Sequence, residues 1–226
     1  PISDETAPWD VLPAANRAVM DSLDYFIVEN TRSARRFLSK AGIARPIDTL
    51  EFRELNEHTV AGREVEELVK PLVEGRSAGV VSEAGVPGVA DPGALVVEAC
   101  HRHGIRVVPL VGPSSVILAV MASGLNGQSF AFNGYLPVKP PERAKAIRFF
   151  ERRARNEGQS QLFIEAPYRN DKLLAQLLEV CAPETLLTVA ADLTGPTEQI
   201  VTRPVSAWRA AARPALGKRP AIFILG

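Results

Sequence analysis

The sequence predicts an α/β protein of two domains, with a mainly parallel sheet in residues 1–112 and a mixed sheet in residues 113–226. Three observations carry this. Strand-like and helix-like segments alternate through the first half, the pattern of parallel strands joined by crossover helices. Strand-like segments crowd together towards the end of the chain, which argues for mixed pairing there. Between the two regions, "VGPSS" (111–115) interrupts the alternation about midway.

Taken in order, "AVMDSLDYFIVEN" (18–30) reads as a helix end followed by a strand. "TRSARRFLSKAG" reads as a helix starting near Thr31 and closed by Gly42, a glycine stop signal. "REVEELVKPLVEG" places Val65, Leu68, Val69 and Leu72 on one helical face, with Pro71 in its last turn. "AGVVS" is a strand, "ALVVEACHRHG" a helix and "IRVVPLV" the next strand. "SSVILAVMASG" is an apolar helix with Ser114 or Ser115 as N-cap. "SFAFNGYL" is a strand, followed by the proline-rich hinge "LPVKPPE" and the charged helix "PERAKAIRFFERRARNEG". "SQLFIEA" is a strand. "RNDKLLAQLLEVC" is a helix with Leu173, Leu174, Leu177 and Leu178 inward. "TLLTVAADL", "TEQIVTRP" and "RPAIFIL" are strands, with a short helix near "VSAWRAAA".

The composition is that of an ordinary soluble globular chain: 46% of its 226 residues are apolar and 23% are charged. Twenty-six basic residues balance 26 acidic ones, so no global field draws the chain to nucleic acid or membrane. No apolar run reaches membrane-spanning length, and no signal peptide is evident. The chain opens at Pro1 in a loop-like stretch, which reads as the sequel of a short missing segment. Cys100 and Cys181 lie far apart in helical patterns and read as buried thiols of a reducing cytoplasm.

The most unusual stretch is "VVSEAGVPGVADPG" (80–93). A loop after a parallel strand lies at the sheet's carboxyl edge, where ligands bind in open α/β folds. Gly85, Gly88 and Gly93 let backbone approach a ligand, and Pro87 and Pro92 stiffen the chain. The spacing is neither a dinucleotide fingerprint nor a triphosphate loop. Glu83 and Asp91 would repel phosphate and suit a ligand with amines, hydroxyls or positive charge. Asp91 followed by Pro92 also reads as an N-cap with proline at the first helical position.

"VSEAGVPGVADPG", "RVVPLVGPSSVILAVMASGL", "FAFNGYLP" and "FIEAPYR" occur in this order, preceded by "VENTRSARRFL" and "LNEHT". The series resembles the tetrapyrrole methylase superfamily of S-adenosylmethionine-dependent enzymes. Within it, the series is most similar to the RsmI-type branch, which methylates a cytidine 2′-hydroxyl of small-subunit ribosomal RNA. The resemblance implies a two-domain α/β fold with S-adenosyl-L-methionine in a cleft between the domains, and a cytoplasmic homodimer acting on RNA or a ribosomal subunit. It implies that Ser82, Glu83, Ala84, Gly85, Val86, Pro87, Gly88, Asp91, Pro92 and Gly93 form one wall of the cofactor site. Pro113, Ser114, Ser115, Glu165, Ala166, Leu193 and Thr194 would supply the rest. Two departures stand out. Glu83 and Val86 replace the usual aspartate and threonine, and "AADLTG" (190–195) lacks the arginine and lysine usual in that strand.

Glu29 and Arg32, in "ENTR", follow a strand end and are the catalytic candidates; as a helix start with a surface charge they would be structural. Glu165 and Arg169 read either as part of the site or as a turn closed by an ion pair. His58 is read as structural, and His101 and His103 as partners of a helix C-terminus, not metal ligands. Arg148, Arg152, Arg153 and Arg155 form a basic face that is either solvated or RNA-contacting. Methyl transfer needs no metal and no nucleophilic triad, because alignment of the reacting atoms and exclusion of water suffice. A carboxylate such as Glu29 would accept the proton of a ribose hydroxyl. Two other functions stay open: a small-molecule methylase acting on a tetrapyrrole, and a cofactor-binding protein without catalysis.

Overall fold

A computed structural model describes residues 5–55, 62–212 and 214–226. The chain divides into two compact units, Pro1–Ser114 and Ser115–Gly226.

The first unit contains helices α1 (Pro8–Val11), α2 (Ala15–Ser22), α3 (Thr31–Ala41), α4 (Arg63–Val73) and α5 (Gly93–Arg102), with a 3-10 turn at Ile47–Thr49. Its strands are β1 (Tyr25–Val28), β2 (Glu51–Glu54) and β3 (Gly79–Val81), ordered β2-β1-β3 and all parallel. All four residues of β1 are buried. Tyr25 and Ile27 pack with Val65, Leu68, Val69, Val96 and Ala99 of α4 and α5. Phe26 and Val28 face the other way, onto Met20, Ala34 and Leu38 of α2 and α3. This is the two-faced burial of a central parallel strand. The Tyr25 hydroxyl donates to the Leu68 carbonyl at 2.9 Å, so even the polar atom at the strand's start is satisfied.

Three expectations are corrected here. The segment "IRVVPLV" belongs to no strand, and Val108, Leu110 and Val111 are exposed. An apolar run becomes a strand only where a neighbour completes its ladder, and none of the described strands lies alongside it. The sequence reading missed β2, whose residues Glu51–Glu54 are mostly exposed; β1 recruits it by pairing Phe26 with Phe52, and the two rings stack at 5.8 Å. Helix α5 starts one residue later than Asp91 as N-cap requires, with Pro92 at the cap.

The second unit contains α6 (Ser115–Ser123), α7 (Pro140–Glu157), α8 (Asn170–Val180) and α9 (Val205–Ala210), with a 3-10 turn at Pro167–Arg169. Its sheet is β4 (Phe130–Tyr135), β5 (Ser160–Ile164), β8 (Ala221–Leu225), β6 (Leu186–Ala191) and β7 (Gln199–Pro204), in that spatial order. The β4–β5 pair is parallel and the remaining pairs are antiparallel, the mixed sheet the sequence predicts. Leu162, Ala190, Ile222 and Ile224 pack with Ala119 of α6 on one face. Phe163, Leu187, Val189 and Phe223 pack on the other with Leu173, Leu174 and Leu177 of α8. "AADL" does not continue as strand: β6 stops at Ala191, and the Asp192 carbonyl accepts from Gly195 N in a tight turn. A bulge shifts the register of β4 between Phe132 and Tyr135, with Gly134 at φ +63°, so that Tyr135 pairs with Ile164.

Both cysteines are buried free thiols, as expected. Burial pushes the Cys181 thiol up to about 12, with Glu151 adding to it, and burial raises Cys100 as well. Among the described residues no helix is long and apolar enough to cross a membrane.

Candidate functional site

In the first unit the site candidates gather where β1 and β3 end. Val28 pairs with Val81, so Glu29 and Ser82 leave adjacent parallel strands together. Glu29 Oε1 accepts from Glu83 N at 3.0 Å, tying the start of the glycine-rich loop to the end of β1. Partial burial pushes the Glu29 carboxyl above its ordinary value. Asp91 and Glu83 push the same way, and the Glu83 amide pulls back.

Asp91 organises the loop. Its Oδ1 accepts from Gly88 N and from Gly93 N, both at 2.7 Å, closing residues 88–93 into a ring. Its Oδ2 is buried with no hydrogen-bond partner. A methyl added to Gly93 would sit 2.8 Å from Asp91 Oδ1 and 3.1 Å from Gly88 N, so only glycine fits there. Gly85 and Gly88 are both at φ +81°, a conformation other residues adopt at a cost. Ala90 adopts it too, at φ 59°. Pro113 lies near: an added Cβ on Gly85 would be 3.8 Å from its carbonyl oxygen. Beneath the loop a narrow recess is lined by Ile27, Val28, Glu29, Leu55, Val80, Val81, Asp91 and Gly93.

The other catalytic candidate, Arg32, is exposed on the first turn of α3. The neighbouring turn is held by two residues the sequence reading missed. Asn30 caps α3 by accepting from Ser33 N at 3.0 Å. Glu54 Oε1 accepts from Thr31 N at 2.9 Å, a bond that holds the Glu54 carboxyl below its usual range. An asparagine immediately before a helical pattern was the available signal for the first; nothing local marks the second. Ser114 ends this unit and Ser115 begins α6. His103 Nε2 lies 2.7 Å from Glu66 Oε2 at the end of α5. No group of three metal-ligating side chains occurs among the described residues, and His58 lies outside them.

In the second unit Glu165 follows β5 with its side chain only 1% exposed. Its Oε1 accepts from Ala166 N at 2.8 Å and from Arg169 Nε and Nη2 at 2.9 and 2.7 Å. Arg143 Nη1, from α7 and also buried, stands 3.9 Å from Glu165 Oε2, and its Nε is bonded to Gln176. Removing one partner of such a buried pair strands the other charge. Sequence reading paired Glu165 with Arg169 but missed Arg143, which comes from another helix.

The turn after β6 holds Asp192 at φ 52°, Leu193 buried and Thr194 at φ 67°. Thr194 N donates to Glu198 Oε2 at 2.8 Å, and Asp192 Oδ2 takes a hydrogen bond from Thr197 Oγ1 at 2.8 Å. The non-glycine residues with positive φ among those described are Ala90, Asp192 and Thr194. All three lie in the two stretches singled out from sequence, and such conformations persist where surrounding structure enforces them, often at functional sites. On α7, Arg153 is tied to Glu157 and Gln159, and Arg155 to Glu184. Arg148 and Arg152 are exposed, and no hydrogen bond or ion pair engages their side chains among the described residues.

A bare, acid-anchored loop at the carboxyl edge of a parallel sheet stands where open α/β folds bind their ligands. The model of the Tetrapyrrole (Corrin/Porphyrin) Methylases matches residues 9–207, and the chain belongs to this family. The chain is 35% identical over 185 residues to "Ribosomal RNA small subunit methyltransferase I" of Xylella fastidiosa strain Temecula1, covering 82% of this chain and 64% of that protein. It is 33% identical over 172 residues to the protein of the same name from Thermotoga maritima, covering 76% and 72%. The chain spans a little under two thirds of the length of several of these relatives. The crystal structure of the methyltransferase CobJ shares the fold, with a TM-score of 0.61 and 20% identity, covering 96% of this chain and 88% of that one.

Proposed function

We propose that this chain forms the methyl-transferring part of an S-adenosyl-L-methionine-dependent enzyme that methylates ribosomal RNA on a ribose hydroxyl. One observation carries the reading: Asp91 ties the loop together between Gly88 and Gly93, with Gly85 and Gly88 in left-handed conformations and Asp91 Oδ2 left as a buried acceptor. A bare backbone with an orphaned carboxylate oxygen fits a ligand that carries ammonium, sulfonium and hydroxyl groups. The cofactor, when bound, supplies an already activated methyl group. Within the first unit, Ser82, Glu83, Ala84, Gly85, Val86, Pro87, Gly88, Asp91, Pro92 and Gly93 would hold it, with Pro113 and Ser114. Glu29, its basicity raised, accepts the hydroxyl proton, and Arg32 adds positive charge nearby. The active species is a homodimer in the cytoplasm.

The test is a methyl-transfer assay with labelled cofactor against deproteinised small-subunit RNA, intact small subunits and a tetrapyrrole precursor in parallel. Label in either ribosomal substrate, recovered on a ribose, is the expected result. Label in the tetrapyrrole alone overturns the RNA reading, and label in none overturns the enzymatic one.

The arginines refine the same reading. Because Arg153 and Arg155 are engaged within the protein, Arg148 and Arg152 are the pair available to phosphate. Replacing both with alanine should lower the slope of log affinity against log salt by about two, one for each phosphate no longer neutralised. Titrations of small-subunit RNA between low and physiological salt measure it. An unchanged slope would leave α7 a solvated face.

A further inference from the structure

Tyr168 is 66% exposed, yet it is held from beneath. The Arg169 guanidinium lies 5.0 Å from the centre of its ring, and Nη1 donates to the Tyr168 hydroxyl at 2.9 Å. The same guanidinium is gripped by Glu165, whose side chain is almost wholly buried. The turn itself is closed by Arg169 N on the Ala166 carbonyl at 2.8 Å, with Pro167 at its start. A buried carboxylate thus fixes a cation, the cation fixes an aromatic ring, and the rest of the ring faces solvent. At the same edge of the β4–β5 pair the Gly134 bulge presents Tyr135, 62% exposed, opposite Ile164.

Resting on the reading as an RNA-modifying enzyme, we propose that Tyr168 is a preorganised stacking platform for an unpaired base of the RNA substrate, with Tyr135 as a second aromatic surface at that edge. Proteins recognise RNA largely through unpaired nucleotides whose bases are splayed onto aromatic or guanidinium planes. Stacking tolerates any base, because every base offers a π face. A ring already pinned by Arg169 loses little side-chain freedom on binding, so more of the stacking energy appears as affinity. The unengaged Arg148 and Arg152 on α7, the helix joining β4 to β5, give the same unit the positive charge that a phosphate backbone needs.

Three variants test this by filter binding to deproteinised small-subunit RNA at low salt, with the thermal shift given by S-adenosylmethionine as a control on fold and cofactor site. Tyr168→Ala should weaken RNA binding about tenfold and raise KM for RNA more than it lowers kcat. Tyr168→Phe keeps the π face and should stay within roughly twofold of the unaltered protein. Emission of a Tyr168→Trp variant should be quenched as RNA is added. Unchanged affinity in Tyr168→Ala, affinity in Tyr168→Phe as weak as in Tyr168→Ala, or emission in Tyr168→Trp that ignores RNA overturns the platform while leaving the RNA reading intact. If the unaltered protein neither binds nor methylates RNA, the functional reading fails and the platform with it.

Discussion

Glu29→Gln is expected to slow methyl transfer to RNA by about a hundredfold or more at neutral pH, the range removed with a general base. The substitution is nearly isosteric, and the amide oxygen can still accept from Glu83 N, so the tie between β1 and the loop survives. What disappears is the carboxylate proposed to accept the proton. Burial and the neighbouring Asp91 and Glu83 raise the Glu29 carboxyl above its ordinary 4.5, which brings its basicity closer to the working pH. Activity should therefore rise with pH through that raised value, and Glu29→Gln should flatten this acid limb. Stability follows the opposite sense. A carboxyl whose folded value is raised favours the protonated fold, so its contribution is present at low pH and lost as pH rises through the folded value. Glu29→Gln should then be at least as heat-stable as the parent at pH 7, with any advantage vanishing below the ordinary glutamate range. Pre-steady-state rates and melting curves across pH measure both. A variant with full activity would remove Glu29 from the chemistry.

Gly88→Val is expected to abolish binding of S-adenosylmethionine and its demethylated product at millimolar concentration while the protein remains folded. Gly88 is at φ +81°, where a β-branched side chain is strained by about 1–3 kcal/mol. Its N–H is one of the two that close the ring on Asp91. An added Cβ itself has room, its nearest neighbour being Ala94 N at 3.9 Å, so the damage is conformational and local. The two core clusters of this unit are built from residues outside the loop, apart from Val80 and Val81 at its entrance. Calorimetry with both ligands, beside a melting curve, separates lost affinity from lost fold. Intact affinity would mean the loop serves only to connect β3 to α5.

Where sequence and structure agree, the deciding interactions are local. "YFIV" is apolar throughout and becomes the doubly buried β1, and the 3.6-residue spacing in 63–73 becomes α4. Gly85 and Gly88 in the loop take the positive φ that glycine tolerates best, although Ala90 beside them takes it too. The larger misreadings share one cause, dependence on a distant partner. "EFRE" carries no strand signal and forms one only because β1 lies beside it, while "IRVVPLV" carries a strong signal and finds no ladder among the described strands. Glu29 was legible as a carboxylate at a strand end, but not its bond to an amide 54 residues away. Arg143 looked like one more charge on a basic helix, yet it is buried beside Glu165. Arg153 and Arg155 looked free and are engaged.

The state of the two cysteines reaches beyond folding. Thiol-directed reagents attack the thiolate, and Cys181, raised to about 12, holds almost none at neutral pH, while Cys100 is shielded and raised as well. The native chain is thus close to silent toward maleimides. A cysteine placed at an exposed position such as Val138, 60% accessible, would react far ahead of both. Fluorophores or spin labels can then be attached to the β4–α7 connection in an otherwise unaltered protein, so that the response to added small-subunit RNA can be followed in real time.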